Sequence, residues 1–164
     1  MRIPVTYTTA EESLQMGKSG DRVFIQGSAQ TPTTMLRHLA LQGERLRDVE
    51  LVFISVLGEI FVDKPNLLDS FKINALFVSE PIRKDVNEGR ADYVPVFLSE
   101  IPELFKRNVL PIDVAIVQVS PPDKHGYCSM GVSVDVARSA VNTAKKVIAQ
   151  VNPNVPRTHG DGLI

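Results

Sequence analysis

IDVAIVQVSPPDKHGYCSMG, residues 112–131, changes character halfway along. Its first half, 113–119 (DVAIVQV), is a short Val- and Ile-rich run bounded by turn residues, the composition of a strand buried on both faces of a parallel sheet. Pro121 and Pro122 lack backbone donors and fix φ, so the strand ends at Ser120. A polar loop follows with Asp123, His125, Gly126, Tyr127, Ser129 and Gly131, and Asp135 caps the next helix. Ligands of open α/β sheets sit just beyond the carboxyl ends of the strands, which makes this loop the first candidate site.

Working outward, the same strand, loop and helix alternation recurs. Residues 8–17 (TTAEESLQMG) predict a short helix capped by Thr8 or Thr9, with Glu11 and Glu12 in the first turn, where the helix dipole favours acids. Residues 22–26 (RVFIQ) predict the first core strand, and Gly27, Ser28, Ala29, Gln30, Thr31 and Pro32 the loop after it. Gly27 permits a sharp turn, Thr31 is the expected N-cap, and Pro32 takes the first helical position. The helix then runs through Met35, Leu36, Leu39 and Ala40 to Gly43. Free backbone N–H groups at such a turn suit an anion or a developing oxyanion, and the same turn serves equally as plain architecture.

Further strands are expected at 49–56 (VELVFISV), 73–78 (INALFV) and 90–97 (RADYVPVF), the last marked as an edge by Pro95. Between the first two, 57–70 is irregular, with at most one helical turn near Pro65. Pro81 opens a helix that Gly89 closes, and Ser99 caps EIPELFKRN. After the central loop come a helix at 136–147 (VARSAVNTAKKV) and a final strand at 148–151 (IAQV). This alternation predicts an α/β domain over residues 1–151, with a mainly parallel sheet and helices on both faces. Residues 152–164 (NPNVPRTHGDGLI) read as the start of an interdomain segment, a Pro-stiffened tail that orders only against something else, such as a second domain.

Composition narrows the function classes. Eighteen basic and nineteen acidic residues give a net charge of −1, which argues against nucleic acid or an anionic membrane as partner. The single cysteine, Cys128, leaves no disulfide pair and suits a reducing compartment. The start, MRIPVTYTTAEESL, lacks the apolar core of a secretory leader, and no stretch approaches the roughly 20 apolar residues of a membrane span. A cytoplasmic protein is the expectation.

Chemistry-bearing motifs are few. His125 and Cys128 have H-x-x-C spacing, but no second pair completes a tetrahedral set, so no metal site is expected. No orienting third group makes them a nucleophile pair; Cys128 reads as a small filler, and His125 either donates to a bound carbonyl or phosphate or stabilises its loop. G-x-G-x-x-G after a strand, G-x-x-x-x-G-K-[ST] and G-x-S-x-G are all missing. Glu59, Glu80, Glu88, Glu100 and Glu103 fall at helix starts or in loops, as caps or surface charges. Arg83 and Arg90 suit either a phosphate or carboxylate partner or structural salt bridges.

Four stretches in order, 24–36 (FIQGSAQTPTTML), 87–105 (NEGRADYVPVFLSEIPELF), 113–135 (DVAIVQVSPPDKHGYCSMGVSVD) and 151–161 (VNPNVPRTHGD), resemble the amino-terminal domain of the acetyl-CoA hydrolase/transferase family. That family includes 4-hydroxybutyrate and acetate CoA-transferases. The resemblance implies a CoA-transferase-like α/β domain, one of two similar domains with the active site between them. It implies ping-pong transfer through a glutamyl-CoA thioester on a glutamate of the carboxy-terminal domain. No catalytic residue then lies in this chain, which is inactive alone. A coenzyme A thioester is a substrate and not a permanent cofactor; the partners are acyl-CoA, a small carboxylate, the missing carboxy-terminal domain and further copies in a homo-oligomer. By the same resemblance Gly27, Ser28, Ala29, Gln30, Thr31 and Pro32 face the cleft, as do Ser120, Pro121, Asp123, His125 and Gly126, while Asn152, Asn154 and Pro156 lead to the interface. Acetyl-CoA hydrolysis, and a non-catalytic binding or assembly module that keeps the fold, are the alternatives.

Overall fold

Wherever an apolar run finds cover on both faces, it becomes a strand. The computed structural model describes residues 6–164; residues 1–5, part of the start read as lacking a leader, lie outside the described residues. Strands β1 (Arg22–Ile25), β2 (Val49–Phe53), β3 (Phe71–Ala75), β4 (Ala91–Tyr93), β5 (Val114–Val119) and β6 (Lys146–Val151) form one sheet in the order β4-β3-β2-β1-β5-β6. Every pairing in it is parallel. The α/β class, the parallel sheet and the helices on both faces are therefore as expected.

Alternate residues of each strand serve opposite faces. Val23, Ile25, Leu51, Phe53, Val114 and Ile116 pack with Leu14 of α1 (Ala10–Leu14) and with Met35, Leu36 and Leu39 of α2 (Thr33–Ala40). On the other face Phe24, Val52, Ala115, Val117 and Val119 meet Ile101 and Phe105 of α4 (Ile101–Lys106) and Ala137 and Ala140 of α5 (Ala137–Thr143). The rings of Phe24 and Phe105 meet edge-on, with centroids 5.8 Å apart. All six residues of β5 are buried. Each large apolar side chain among them contributes up to about 1.5–3 kcal/mol by leaving water, which fixes β5 between β1 and β6.

Chain order makes β1 the turning point. From β1 the chain winds outward through β2 and β3 to β4, by way of α3 (Arg83–Asn87), then returns to place β5 on the other side of β1. The loops leaving β1 and β5 lead to α2 and α5 on opposite faces, the divergence that marks the expected ligand crevice of an open α/β sheet.

Local differences have local causes. Thr9 caps α1 in a full capping box with Glu12. Thr31 does not cap α2: its hydroxyl donates to the Ser28 carbonyl (2.8 Å) and accepts the Leu57 N–H (3.0 Å), and Pro32 takes the cap position. Ser99 does not cap α4 either; Glu100 sits at that position without a side-chain cap. The helix expected through Val147 stops at Thr143, because Ala144 is already extended and Lys146 pairs with Val114. Strands β2, β3 and β4 end at Phe53, Ala75 and Tyr93, three to four residues before the apolar runs do. The one helical turn near Pro65 is a 3-10 turn at Pro65–Leu67. β4 is an edge strand, as Pro95 implied. Arg90 is committed to ion pairs with Asp85 and Glu88, its structural reading. Among the described residues no helix is long and apolar enough to cross a membrane.

Candidate functional site

The first wall of the crevice begins at Gly27. A Cβ there would lie 2.1 Å from the Ser55 carbonyl oxygen, so only glycine lets the chain leaving β1 run against the chain leaving β2. The contact is used at once: the Ser28 N–H donates to Ser55 O (2.7 Å), and the two serine hydroxyls lie 3.0 Å apart. The Gln30 N–H then returns to Gly27 O (3.1 Å) and the Thr31 N–H to Ser28 O (3.1 Å), a tight turn with Ser28 at φ 53. Replacing Gly27 with alanine is expected to destabilise the domain by about 1–3 kcal/mol through overpacking, lowering the thermal midpoint by several degrees. A melt of wild type and variant checks it.

The second wall is a polar hairpin. The Ser120 N–H donates to Ser129 O (2.8 Å), and the Ser120 hydroxyl accepts the Ser129 N–H (2.9 Å). At the tip one carboxylate oxygen of Asp123 accepts the N–H groups of His125 (2.8 Å) and Tyr127 (2.9 Å), while Gly126 turns the chain at φ 89. The other oxygen pairs with the Arg157 guanidinium at 2.7 Å. The Tyr127 N–H, then the His125 N–H and the Arg157 charge, hold the Asp123 carboxyl below its ordinary range. Asp123 is thereby a pin for the hairpin, and Pro121, His125 and Gly126 project from it exposed.

The tail is ordered, but not in the way expected. It packs on this domain's own hairpin: the Cys128 N–H donates to Ile164 O (2.8 Å), Ile164 returns one to Cys128 O (2.9 Å), and Met130 donates to Gly162 O (2.7 Å). Ser129 is the knot, since its hydroxyl oxygen accepts the N–H groups of Gly131 (3.1 Å) and Thr158 (3.0 Å). Burial pushes the Cys128 thiol up, away from reactivity, in keeping with a filler.

Between the walls lies a cluster of amides, three buried (Gln26, Gln30, Gln118) and two half-buried (Gln150, Asn152). Gln26 accepts the Gln118 backbone N–H at 2.7 Å and donates to the carbonyls of Met130 (3.2 Å) and Ser133 (2.9 Å). Gln118 donates to Gln30 Oε1 (3.2 Å) and accepts from Gln150 (2.8 Å) and Asn152 (3.0 Å). Gln30 and Asn152 thus meet on Gln118. Asn154 does not join them: it is exposed, and its N–H caps Asn152 Oδ1 at 2.9 Å. Ala29 is exposed and Pro32 buried beside the same turn. The sequence reading missed Gln118, Gln150, Ser55 and Thr158. A signal existed, because β5 and β6 each carry a glutamine inside an apolar run, and Gln118 and Gln150 are register partners. Chemically the strand-end loops are lined by neutral side-chain amides, a donor type suited to an oxyanion or a carboxylate. Among the described residues no three His, Cys, Asp or Glu side chains gather closely enough to share a metal ion.

Known proteins carry the same pattern. The family model for the acetyl-CoA hydrolase/transferase N-terminal domain matches residues 5–164. The succinyl-CoA:acetate/propanoyl-CoA:succinate CoA transferase of Fasciola hepatica is 42% identical over 166 residues, covering 99% of this chain and 34% of that protein. The 4-hydroxybutyrate coenzyme A transferase of Clostridium kluyveri is 42% identical over 156 residues, covering 95% of this chain and 36% of that protein. Among solved structures, RipA from Yersinia pestis superposes with a TM-score of 0.84 at 28% identity, covering 96% of this chain and 39% of that one. The chain spans about a third of the length of the curated relatives it matches.

Proposed function

The chain belongs to the acetyl-CoA hydrolase/transferase family, as its N-terminal domain, and from that premise we propose that it is one wall of a cleft in which a larger protein moves CoA between an acyl-CoA and a small carboxylic acid. The observation that carries this reading is that 27–32 and 120–126 both leave the carboxyl ends of the adjacent strands β1 and β5. Exposed Leu57, Phe77, Phe97 and Tyr127 follow β2, β3, β4 and β5 at the same end, an apolar rim suited to cover by a second body. In this reading residues 1–151 are the wall and 152–164 lead along the hairpin to a carboxy-terminal domain.

That domain supplies a glutamate. Its carboxylate attacks the acyl carbonyl and the CoA thiolate leaves; the thiolate then attacks the glutamyl carbonyl, releasing the first carboxylate and leaving a glutamyl-CoA thioester. The acceptor carboxylate runs the same two steps in reverse. The groups of this chain orient the acyl end and stabilise developing oxyanion charge.

The test is CoA transfer from acetyl-CoA to butyrate or 4-hydroxybutyrate. The 164-residue chain alone is expected to transfer none, and the full-length protein to transfer readily. Robust transfer by the chain alone refutes the half-cleft. Thioester loss that is independent of added carboxylate makes the enzyme a hydrolase.

A further inference from the structure

The amide cluster at the crevice has a direction. Oxygen and nitrogen of a glutamine amide look alike, so their assignment follows from a partner whose role is fixed. Here that partner is a backbone N–H, which can only donate. The Met35 N–H, in the first turn of α2, donates to Gln150 Oε1 at 3.3 Å. The Gln150 NH2 must then face Gln118, which it reaches at 2.8 Å, so Gln118 turns its oxygen to Gln150 and to Asn152. The Gln118 NH2 is left to donate to Gln30 Oε1 at 3.2 Å. Each amide orients the next, and the chain ends with the Gln30 NH2 pointing away from Gln118.

That last nitrogen has no acceptor among the described residues. Gln30 is 2% exposed, and its Nε2 is not one of the wholly buried side-chain atoms without partners, which are Asn74 Oδ1 and Ser79 Oγ, so this unpaired nitrogen keeps a sliver of exposed surface. It lies against Gly131, where a Cβ would approach it to 1.9 Å. Gly131, at φ +70, is where the second wall makes room for an amide of the first.

We propose that Gln30 is a hydrogen-bond donor to an oxygen of the reacting acyl group, a thioester carbonyl or a carboxylate, and that its direction is set remotely by the relay from Met35 through Gln150 and Gln118. The proposal rests on the reading of this crevice as an acyl-CoA cleft. The relay leaves only a donor at this point, and donors are what developing oxyanion charge requires. Gln118 and Gln150 touch no substrate and are positioning residues.

Two measurements test it separately. In the full-length protein, Gln30→Glu replaces the donor with an acceptor and is expected to lower kcat by about 10²-fold with a smaller change in KM; Gln30→Met, which keeps length without a donor, should fall similarly. Gln150→Glu accepts from Met35 but cannot donate to Gln118, so it should lower kcat about tenfold, by the partial loss of that donor, while Gln150→Met, which sets no direction, should do less harm. In the 164-residue chain, nitrogen-15 spectra read the side-chain NH2 protons directly: those of Gln30 should exchange rapidly with solvent, and those of Gln118 and Gln150 slowly. Slow exchange at Gln30 overturns the relay, and so does full activity in Gln30→Glu with an unchanged spectrum elsewhere. If the wild-type full-length protein transfers no CoA, the transferase reading fails and the acyl assignment falls with it, while the exchange rates still judge the direction of the relay.

Discussion

Replacing Gln26 with leucine is expected to destabilise the domain by about 3–5 kcal/mol, the largest effect of any single substitution at the crevice. The residue is wholly buried, and its amide bonds three backbone groups at once. One is the Gln118 N–H of the central strand; the others are the carbonyls of Met130 and Ser133, at the end of the hairpin. Leucine has the right volume and none of the polarity. It leaves one donor and two acceptors in a dry site, each costing on the order of 1–3 kcal/mol. Urea unfolding measures the loss directly, and the thermal midpoint should fall by about 2–4 °C per kcal/mol. A loss under about 1 kcal/mol would mean that water reaches these groups and that the two walls are not joined through Gln26.

Much of the fold is legible because buried parallel strands are apolar along their whole length and helices are punctuated by caps and glycines. Residues 114–119, the capping box of Thr9 and Glu12, and the stop at Gly89 all declare themselves locally. The errors cluster where composition and pairing part company. Ile54, Ser55 and Val56 continue an apolar run, yet the strand has ended, because the chain leaving β2 is needed to receive Gly27 and Ser28. Thr31 looks like a cap and is not, since a distant N–H at Leu57 claims its hydroxyl. Of the candidate site, the two strand-end loops were legible and the amides between them were not. A polar loop after a strand marks the crevice; the amides that fill it belong to the strands, and their meaning lies in partners 32 and 88 residues apart. No local pattern encodes such a pairing. The tail shows the same limit, for its proline-stiffened composition announces order without naming the hairpin as its seat.

Replacing Ser129 with alanine is expected to cost about 2–4 kcal/mol and to loosen the tail from the hairpin. The Thr158 hydroxyl spends its proton on Gly131 O (2.8 Å), so the Ser129 hydroxyl must donate to Thr158 Oγ1 (2.9 Å) while accepting two N–H groups. One buried atom thus makes three bonds, and alanine leaves the N–H groups of Gly131 and Thr158 unpaired. Hydrogen exchange at these two amides should quicken more than at β5, whose ladder is untouched. What then holds the tail includes the backbone bonds of Cys128 with Ile164 and of Met130 with Gly162, which do not titrate, and the ion pair of Arg157 with Asp123, which gives residues 157 and 158 of the variant a pH signature. The folded-state pKa of Asp123 is depressed, so its contribution is full above the unfolded value of about 3.9 and is lost as pH falls through the lower folded value. Acid should therefore loosen residues 157 and 158 in the variant while the sheet stays folded, whereas in wild type the Ser129 knot keeps Thr158 protected through the same window. Equal protection of Thr158 in both proteins once acid has titrated Asp123 through its depressed folded-state value would show that the knot does not hold the tail.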